Sequence, residues 1–368
     1  MHVALDAYPL FGPRTGVGTY VHRLVDGLAR LPDPPQLTLP VASLRALDPP
    51  LDLPGVTWRH RRVPFRVVQA LWDRGRFPPG EWVTGEADLF HATNFVAPPF
   101  RHTPLVTTVH DLAHELHPDL VDHRVARYRH WVPDAIRRSQ RVITLAAATA
   151  DDLAVRYDVD RDRVVPIHLG VDESWGTAVG PDVDWRVRHG IPDRYLLFVG
   201  APSQRKNFGL LLEAHEAARA VDAAVPPLVV AGPPPPDAMR EPGSDVEVLG
   251  YLEERALQRV VAGAVALLYP SRYEGFGLPI LEALATGTAV VASDLPVHRE
   301  IAGDQVDLVD LSHARAEENL TRLRDAIVRA SSIDAPPSLV SARRAWARGF
   351  TWDRTAAATR EVYEAAVG

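Results

Sequence analysis

Two carboxylates, Glu274 and Glu282, flank a glycine loop in the stretch SRYEGFGLPILEALATG, residues 271–287. The first half is polar and turn-like; the second is an apolar helical pattern. Gly275 and Gly277 lack a Cβ, so the backbone there can reach positive φ and approach a ligand closely. Pro279 suits the first position of a helix, where its missing N–H is no loss. Gly287 is a natural helix stop, and Glu282 is expected in the first turn. The N–H groups around Phe276, Gly277 and Leu278 then open a helix N-terminus, an anion site suited to a diphosphate. A first-turn carboxylate is favoured by the helix dipole by about 0.3–1 kcal/mol, which is reason enough for Glu282. Glu274 precedes the loop and has no such reason. Two acids beside an anion make sense if they accept hydrogen bonds from hydroxyls flanking the phosphates. A nucleotide sugar offers such hydroxyls on both sides, which suits Glu282 to the ribose and Glu274 to the hexose.

Other residues could also do chemistry. His110 ends the run LVTTVH, at the carboxyl edge where parallel α/β sheets hold ligands. Asp111 orients it or caps the following helix, and the cap is the preferred reading. His110, His114 and His117 are not expected to form a metal site, because His110 leaves a strand end while the other two lie on the next loop or helix. The acid pairs DVD at 158–160 and 182–184 lie in loop or linker text. TGVGTY at 15–20 fails as a dinucleotide fingerprint: it comes about ten residues after HVALD, lacks a third glycine, and has Gln36 where an acid belongs. That disfavours a nicotinamide oxidoreductase and leaves Gly16 and Gly18 as a flexible loop reaching the diphosphate. Between Arg59 and Arg76, six arginines face one acid, Asp73, with Trp58, Phe65 and Trp72 interleaved. A lipid-linked or phosphorylated acceptor or an anionic membrane surface would use such a cluster, but a solvated face of an arginine-rich chain is favoured.

Short β-branched runs alternating with helical segments position these residues, the mark of α/β layers with parallel sheets. HVALD, LVTTVHD and RVITLA read as strands of a first domain. YLLFVG, PLVVAG, VEVLG, ALLYPS and AVVASD read as strands of a second. GVDESWGTAVGPDVDW, residues 170–185, has no period and reads as the connection. The expected division is a Rossmann-like domain over 1–172, a linker over 173–189 and a second domain over 190–351, with a C-terminal helix over 352–368 joining the first. Ligands are expected in the cleft facing both sheets. In that helix Thr351 is the expected N-cap, and Trp352 and Tyr363 need a surface to bury against.

The 368 residues are too many for one hydrophobic core. Hydrophobic content of 46% and charged content of 24% are ordinary for a globular chain. A net charge of −7 argues against a nucleic-acid binder, and the absence of cysteine excludes disulfides, thiolate metal sites and a cysteine nucleophile. MHVALDAYPL does not resemble a secretory signal, and no apolar run is long enough to span a bilayer. The expectation is a cytoplasmic enzyme with room for peripheral membrane contact. The PPPP run at 233–236 is read as an exposed loop.

With these pieces in hand, EGFGLPILE resembles the E-x7-E pattern of retaining GT-B glycosyltransferases of the large GT4 type, which includes many mannosyltransferases. FVGAPSQRKNFGLLLEAH, VPIHLGVD, VEVLGYLEERAL and SDLPVHREIAGD are similar to other blocks of that family, in its order and spacing. The resemblance implies a GT-B fold, two Rossmann-like domains facing a cleft. It implies that Glu274 holds the donor hexose, Glu282 the ribose, and the Phe276–Leu278 backbone the phosphates, with Arg205 and Lys206 as a cationic clamp. Many relatives have an arginine directly after the strand's glycine; here that position is Ala201, and Arg205 takes its place. Gly16 and Gly18 would touch the diphosphate, His110 the donor sugar, and Tyr251 and Leu252 the base; Asn94 would touch acceptor or donor. No metal and no further cofactor is implied, because Lys206, Arg205 and the helix end neutralise the leaving diphosphate. The donor would be a nucleoside-diphosphate sugar, GDP-mannose first, and the acceptor a saccharide, a lipid-linked or a small molecule. The competitors are a sugar-nucleotide epimerase or a phosphorylase of the same architecture, or a non-catalytic scaffold, against which the intact Glu274, Glu282, Lys206 and His110 set speaks.

Overall fold

The computed structural model describes residues 1–11, 15–45, 48, 50–75, 77–122, 128–235, 246–332 and 336–368, without the side chains of 73–75. The chain divides into two compact units, one comprising Met1–Pro118, Asp122–Gly170 and Thr351–Gly368, the other Asp119–Val121 and Val171–Phe350.

The first unit is built on a seven-stranded sheet of order β3-β2-β1-β4-β5-β6-β7. Its strands are β1 (His2–Leu5), β2 (Gln36–Ala42), β3 (Val56–Arg61), β4 (Leu89–Ala92), β5 (Leu105–Val109), β6 (Arg141–Thr144) and β7 (Val164–Pro166). Every pairing is parallel. Strands β4 and β5 are buried along their whole length, as helices on both faces of a parallel sheet require. The helices that matter here are α1 (Gly16–Ala29), α2 (Phe65–Gly75) and α3 (Tyr128–Arg138).

The second unit carries a six-stranded parallel sheet of order β10-β9-β8-β11-β12-β13. Its strands are β8 (Leu196–Val199), β9 (Leu228–Ala231), β10 (Val246–Gly250), β11 (Ala266–Tyr269), β12 (Ala289–Ser293) and β13 (Asp307–Val309). Phe198, Phe208, Leu211, Val230, Leu268 and Ile327 form the centre of its core. The strand order reverses between β8 and β11, so the loops leaving these two strands flank a crevice, the usual ligand position in an open α/β sheet. Helix α4 (Phe208–Val221) follows β8, α5 (Glu254–Gly263) follows β10, and α6 (Leu278–Thr286) follows β11. The last helix, α7 (Trp352–Val367), packs on α1 in the first unit. Thr351 caps it, accepting from the Arg354 N–H at 3.2 Å, and Trp352 and Tyr363 are buried.

The expected connection over 170–185 is not irregular. It contains a helical turn, Glu173–Gly176, and the start of a helix, Val183–His189, both in the second unit. Its aspartates are caps: Asp172 accepts from the Ser174 N–H at 3.0 Å and Asp182 from the Trp185 N–H at 2.8 Å. Asp160 of the other DVD does the same for Asp162. Pro236 of the proline run lies outside the described residues, as does Arg76 of the arginine cluster. Among the described residues no helix is long and apolar enough to cross a membrane.

Candidate active site

The glycine loop is built around Gly277, which adopts φ 112° and caps α6. A Cβ there would sit 3.1 Å from Ile301 Cδ1, so both conformation and space favour glycine. The helix begins at Leu278, with Pro279 second rather than first, and closes on Gly287 at φ 84°. No acidic residue lies in its first turn. Glu282 is the fifth residue, in the second turn, because the left-handed cap takes up the position before Leu278. The dipole therefore does not account for Glu282. Desolvation, with the Glu254 charge at the start of α5 adding to it, pushes its carboxyl up to about 8.

Arg205 and Lys206 lie in the loop after β8, and Glu274 in the loop after β11. The three form one ion-paired group. Lys206 Nζ lies 2.6 Å from Glu274 Oε1, and Arg205 Nη1 lies 2.9 Å from Oε2. Arg205 also donates to the Tyr273 carbonyl at 3.1 Å. Lys206 donates to the Tyr269 hydroxyl and stands 4.2 Å from the centroid of that ring. Burial alone would raise the Glu274 carboxyl, but the Lys206 and Arg205 charges outweigh it and hold the group well below the ordinary carboxylate range. The loops meet in the backbone as well, where the Arg272 N–H donates to the Arg205 carbonyl at 2.8 Å. Two cations and one carboxylate leave a net positive charge beside a helix N-terminus, a combination that binds phosphate. The sequence suggested Glu274 and the basic pair as separate contacts; the fold brings them together. Tyr251, 60% exposed, and the half-buried Leu252 form the turn between β10 and α5.

In the first unit, Gly16 and Gly18 are not in a loop. They stand in the first turn of α1, where Thr15 Oγ1 accepts from the Gly18 N–H at 3.4 Å; residues 12–14 lie outside the described residues. The Thr15 cap is the signal that a glycine-led reading overlooks. His110 directly follows β5 and is buried, with its ring edge-on to Tyr20 and Phe95. Its Nε2 lies 2.7 Å from the Thr93 carbonyl. A carbonyl only accepts, so Nε2 carries the hydrogen and Nδ1 is the basic nitrogen. Burial holds the ring below its ordinary pKa, hence neutral. Asp111 caps, accepting from the Ala113 N–H at 3.0 Å. His114 lies on the short helix Ala113–Leu116 and His117 just past it. Behind His110 runs a buried chain absent from the sequence reading: Tyr363 OH to His91 Nδ1 at 2.7 Å, His91 Nε2 to Thr108 Oγ1 at 2.7 Å, and Thr108 to Tyr20 OH at 2.9 Å.

The arginine cluster divides. Arg59 and Arg61 lie on the edge strand β3, and Arg62 and Arg66 are exposed. The interleaved aromatics pack inward: Trp58 donates to the Leu51 carbonyl at 2.8 Å, and Phe65 lies 6.5 Å from Trp72, centroid to centroid. Charges on an edge strand discourage strand addition, so the described part of the cluster matches a solvated face.

Comparison with known proteins agrees with this geometry. Residues 193–331 match the family profile described as glycosyl transferases group 1, and residues 14–175 match that of glycosyltransferase family 4. The chain is 25% identical over 298 residues to the O-antigen chain mannosyltransferase B of Escherichia coli, covering 75% of this chain and 74% of that protein. It is 32% identical over 260 residues to the D-inositol 3-phosphate glycosyltransferase of Salinispora arenicola, covering 63% of this chain and 56% of that one. Among solved structures it resembles the sucrose-phosphate synthase of Thermosynechococcus elongatus, with a TM-score of 0.69 and 18% identity over 99% of this chain and 98% of the other. That likeness speaks for the fold.

Proposed function

The chain belongs to the GT4-type, group 1 glycosyltransferases of GT-B fold, and from that premise we propose that it moves a hexose from a nucleoside-diphosphate sugar to an acceptor hydroxyl with retained anomeric configuration. The observation that carries this reading is the Lys206–Glu274–Arg205 group beside the glycine cap of α6. A diphosphate seated there meets two cations and the N-terminus of a helix, which stabilise the charge that grows as the leaving group departs. Arg205 supplies planar, bidentate geometry and Lys206 a compact charge. Glu282, biased towards the neutral acid, serves the ribose hydroxyls, and Glu274 serves the hexose. His110 supplies a neutral hydrogen-bonding nitrogen, Nδ1, to the sugar.

Neither loop acid is suited to act as a covalent nucleophile. Glu274 is tied between two cations, and Glu282 tends to keep its proton. Retention then follows from attack on the face the diphosphate leaves: the acceptor oxygen bonds to the anomeric carbon, the bond to the phosphate oxygen breaks, and that oxygen takes the acceptor's proton. The protein contributes positioning and charge stabilisation. Mannose is the favoured sugar and GDP-mannose the favoured donor, supported by the similarity to an O-antigen mannosyltransferase.

A thermal-shift panel of nucleoside diphosphates tests the reading, since the base of the true donor raises Tm through linkage; no shift with any of them refutes it. With the donor known, Lys206→Ala is expected to lower kcat by about 10²–10³, and an unchanged kcat removes Lys206 from the mechanism. The anomeric proton coupling of the product decides between retention and inversion.

A further inference from the structure

The first unit contains a cavity of about 840 Å³ that the donor chemistry does not use. It lies at the carboxyl edge of β1 and β4, the strands between which the order of that sheet reverses. Open α/β sheets hold ligands at this position. Asp6 directly follows β1 and Asn94 lies just past β4; both line the cavity. Much of the wall is aromatic. The Tyr8 and Phe65 rings lie 4.4 Å apart between centroids, Phe65 stands edge-on to Trp72, and Trp131 of α3 lines the same space.

The polar atoms around it fall into two groups. Those of the aromatics and arginines are committed to the protein: Tyr8 OH donates to the Ala42 carbonyl, Trp72 Nε1 to the Pro78 carbonyl at 2.6 Å, and Arg138 to the carbonyls of Ala97 and Pro98. Arg137 and Arg138 both pair with Asp134, at 3.3 and 2.9 Å. The Asn94 and Gln69 carboxamides, by contrast, have no hydrogen-bond partner among the described residues. Asp6 accepts from the Tyr8 N–H at 3.1 Å through Oδ1 and pairs with no cation among the described residues. Burial pushes its carboxyl up to about 6 against the pull of that N–H, so at neutral pH it is a carboxylate lacking a counter-charge.

Flat apolar walls suit the C–H face of a sugar ring, and two uncommitted amides with a carboxylate suit its hydroxyl edge. Both lining arginines already hold Asp134, so a phosphate finds no unengaged guanidinium. We infer that this cavity is the acceptor subsite and takes a neutral saccharide ring, with Asp6 accepting from one hydroxyl and Asn94 and Gln69 engaging its neighbours. The acceptor role rests on the transferase reading above; the ligand class rests on the cavity.

The test applies the full chain to a printed array of neutral and phosphorylated mono- to tetrasaccharides, with GDP and UDP thermal shifts measured on the same preparation. A subset of neutral glycans is expected to bind and to be displaced by the free methyl glycoside. Asp6→Asn, Asn94→Ala and Gln69→Ala should each weaken binding about tenfold, the worth of one good hydrogen bond. Asp6 also supports the Tyr8 turn, so the two amide variants, checked for folding by circular dichroism, carry the test if Asp6→Asn unfolds. Capture of phosphorylated glycans alone, absence of any neutral glycan, failure of the glycoside to compete, or full binding by the amide variants overturns the inference. A nucleotide shift without glycan binding refutes this inference alone, whereas glycan binding with no nucleotide shift refutes the acceptor role together with the transferase reading.

Discussion

Glu274→Gln keeps the shape of the side chain and removes the negative charge between Lys206 and Arg205. The carboxylate lies 2.6 and 2.9 Å from the two cations, and Glu274 is only 8% exposed. Removing one partner from a buried pair leaves charge uncompensated and costs about 3–5 kcal/mol. The Arg205 side chain is 27% exposed and can be partly hydrated, which places the loss near the lower end, about 3 kcal/mol. For a unit of this size that corresponds to roughly 6–12 °C in Tm. The same change adds one unit of positive charge to the group. At about 6 Å and an effective dielectric of about 20, one charge is worth about 2–3 kcal/mol against a phosphate. Screening brings this to roughly 1–1.5 kcal/mol, or about tenfold in Kd. The variant should therefore melt lower alone, rise further than wild type when GDP or UDP is added, and transfer sugar more slowly. The pH dependence has a definite sign. The folded Glu274 pKa is depressed below the ordinary 4.5, so wild type has this stability above that value and loses it as pH falls, and the gap to the variant must narrow in acid. Differential scanning fluorimetry at low salt, at neutral and acid pH, with and without nucleotide, measures all of this. A variant within about 2 °C of wild type at neutral pH, or one with a smaller nucleotide shift, refutes the reasoning.

Gly277→Ala forces a Cβ onto φ 112° and to 3.1 Å from Ile301 Cδ1; a loss of about 1–3 kcal/mol is expected, and an unmoved urea midpoint would contradict it. Glu282 is pushed up to about 8 from an ordinary 4.5, so its stabilising effect is full below about 4.5 and drains away as pH rises towards 8. Glu282→Gln should flatten Tm against pH across that window and melt above wild type at its alkaline end, and a variant with the wild-type slope would rule this out. Tyr363→Phe leaves the buried His91 Nδ1 without its 2.7 Å partner, a loss of about 1–3 kcal/mol by chemical denaturation; a loss under about 0.5 kcal/mol would show that the chain through Thr108 to Tyr20 does not depend on it.

Legibility followed burial. Runs such as LLFV, LVVA and ALLY are apolar throughout because parallel strands are covered on both faces, and they stand out in the sequence. Strand β2 hides behind Pro40, which argues against a central strand. Strand β3 is a half-exposed edge whose arginines look like a charge cluster, and β7 and β13 have only three residues each. The cavity of the first unit was illegible because each aromatic in it reads locally as core. The Lys206–Glu274–Arg205 group was hidden for a different reason. Its members are 68 and 69 positions apart, and the ligand chemistry assigns each a separate duty. Yet the property that suits a lysine and an arginine to phosphate, strong attraction to oxygen anions in a poorly hydrated place, also makes them close on the nearest carboxylate when no phosphate is there. Diphosphate binding at this site is then an exchange, in which the ligand shares or displaces a carboxylate already in place. Nucleotide affinity is set by the difference between two anions, and Glu274 controls that difference while Lys206 and Arg205 serve both sides of it.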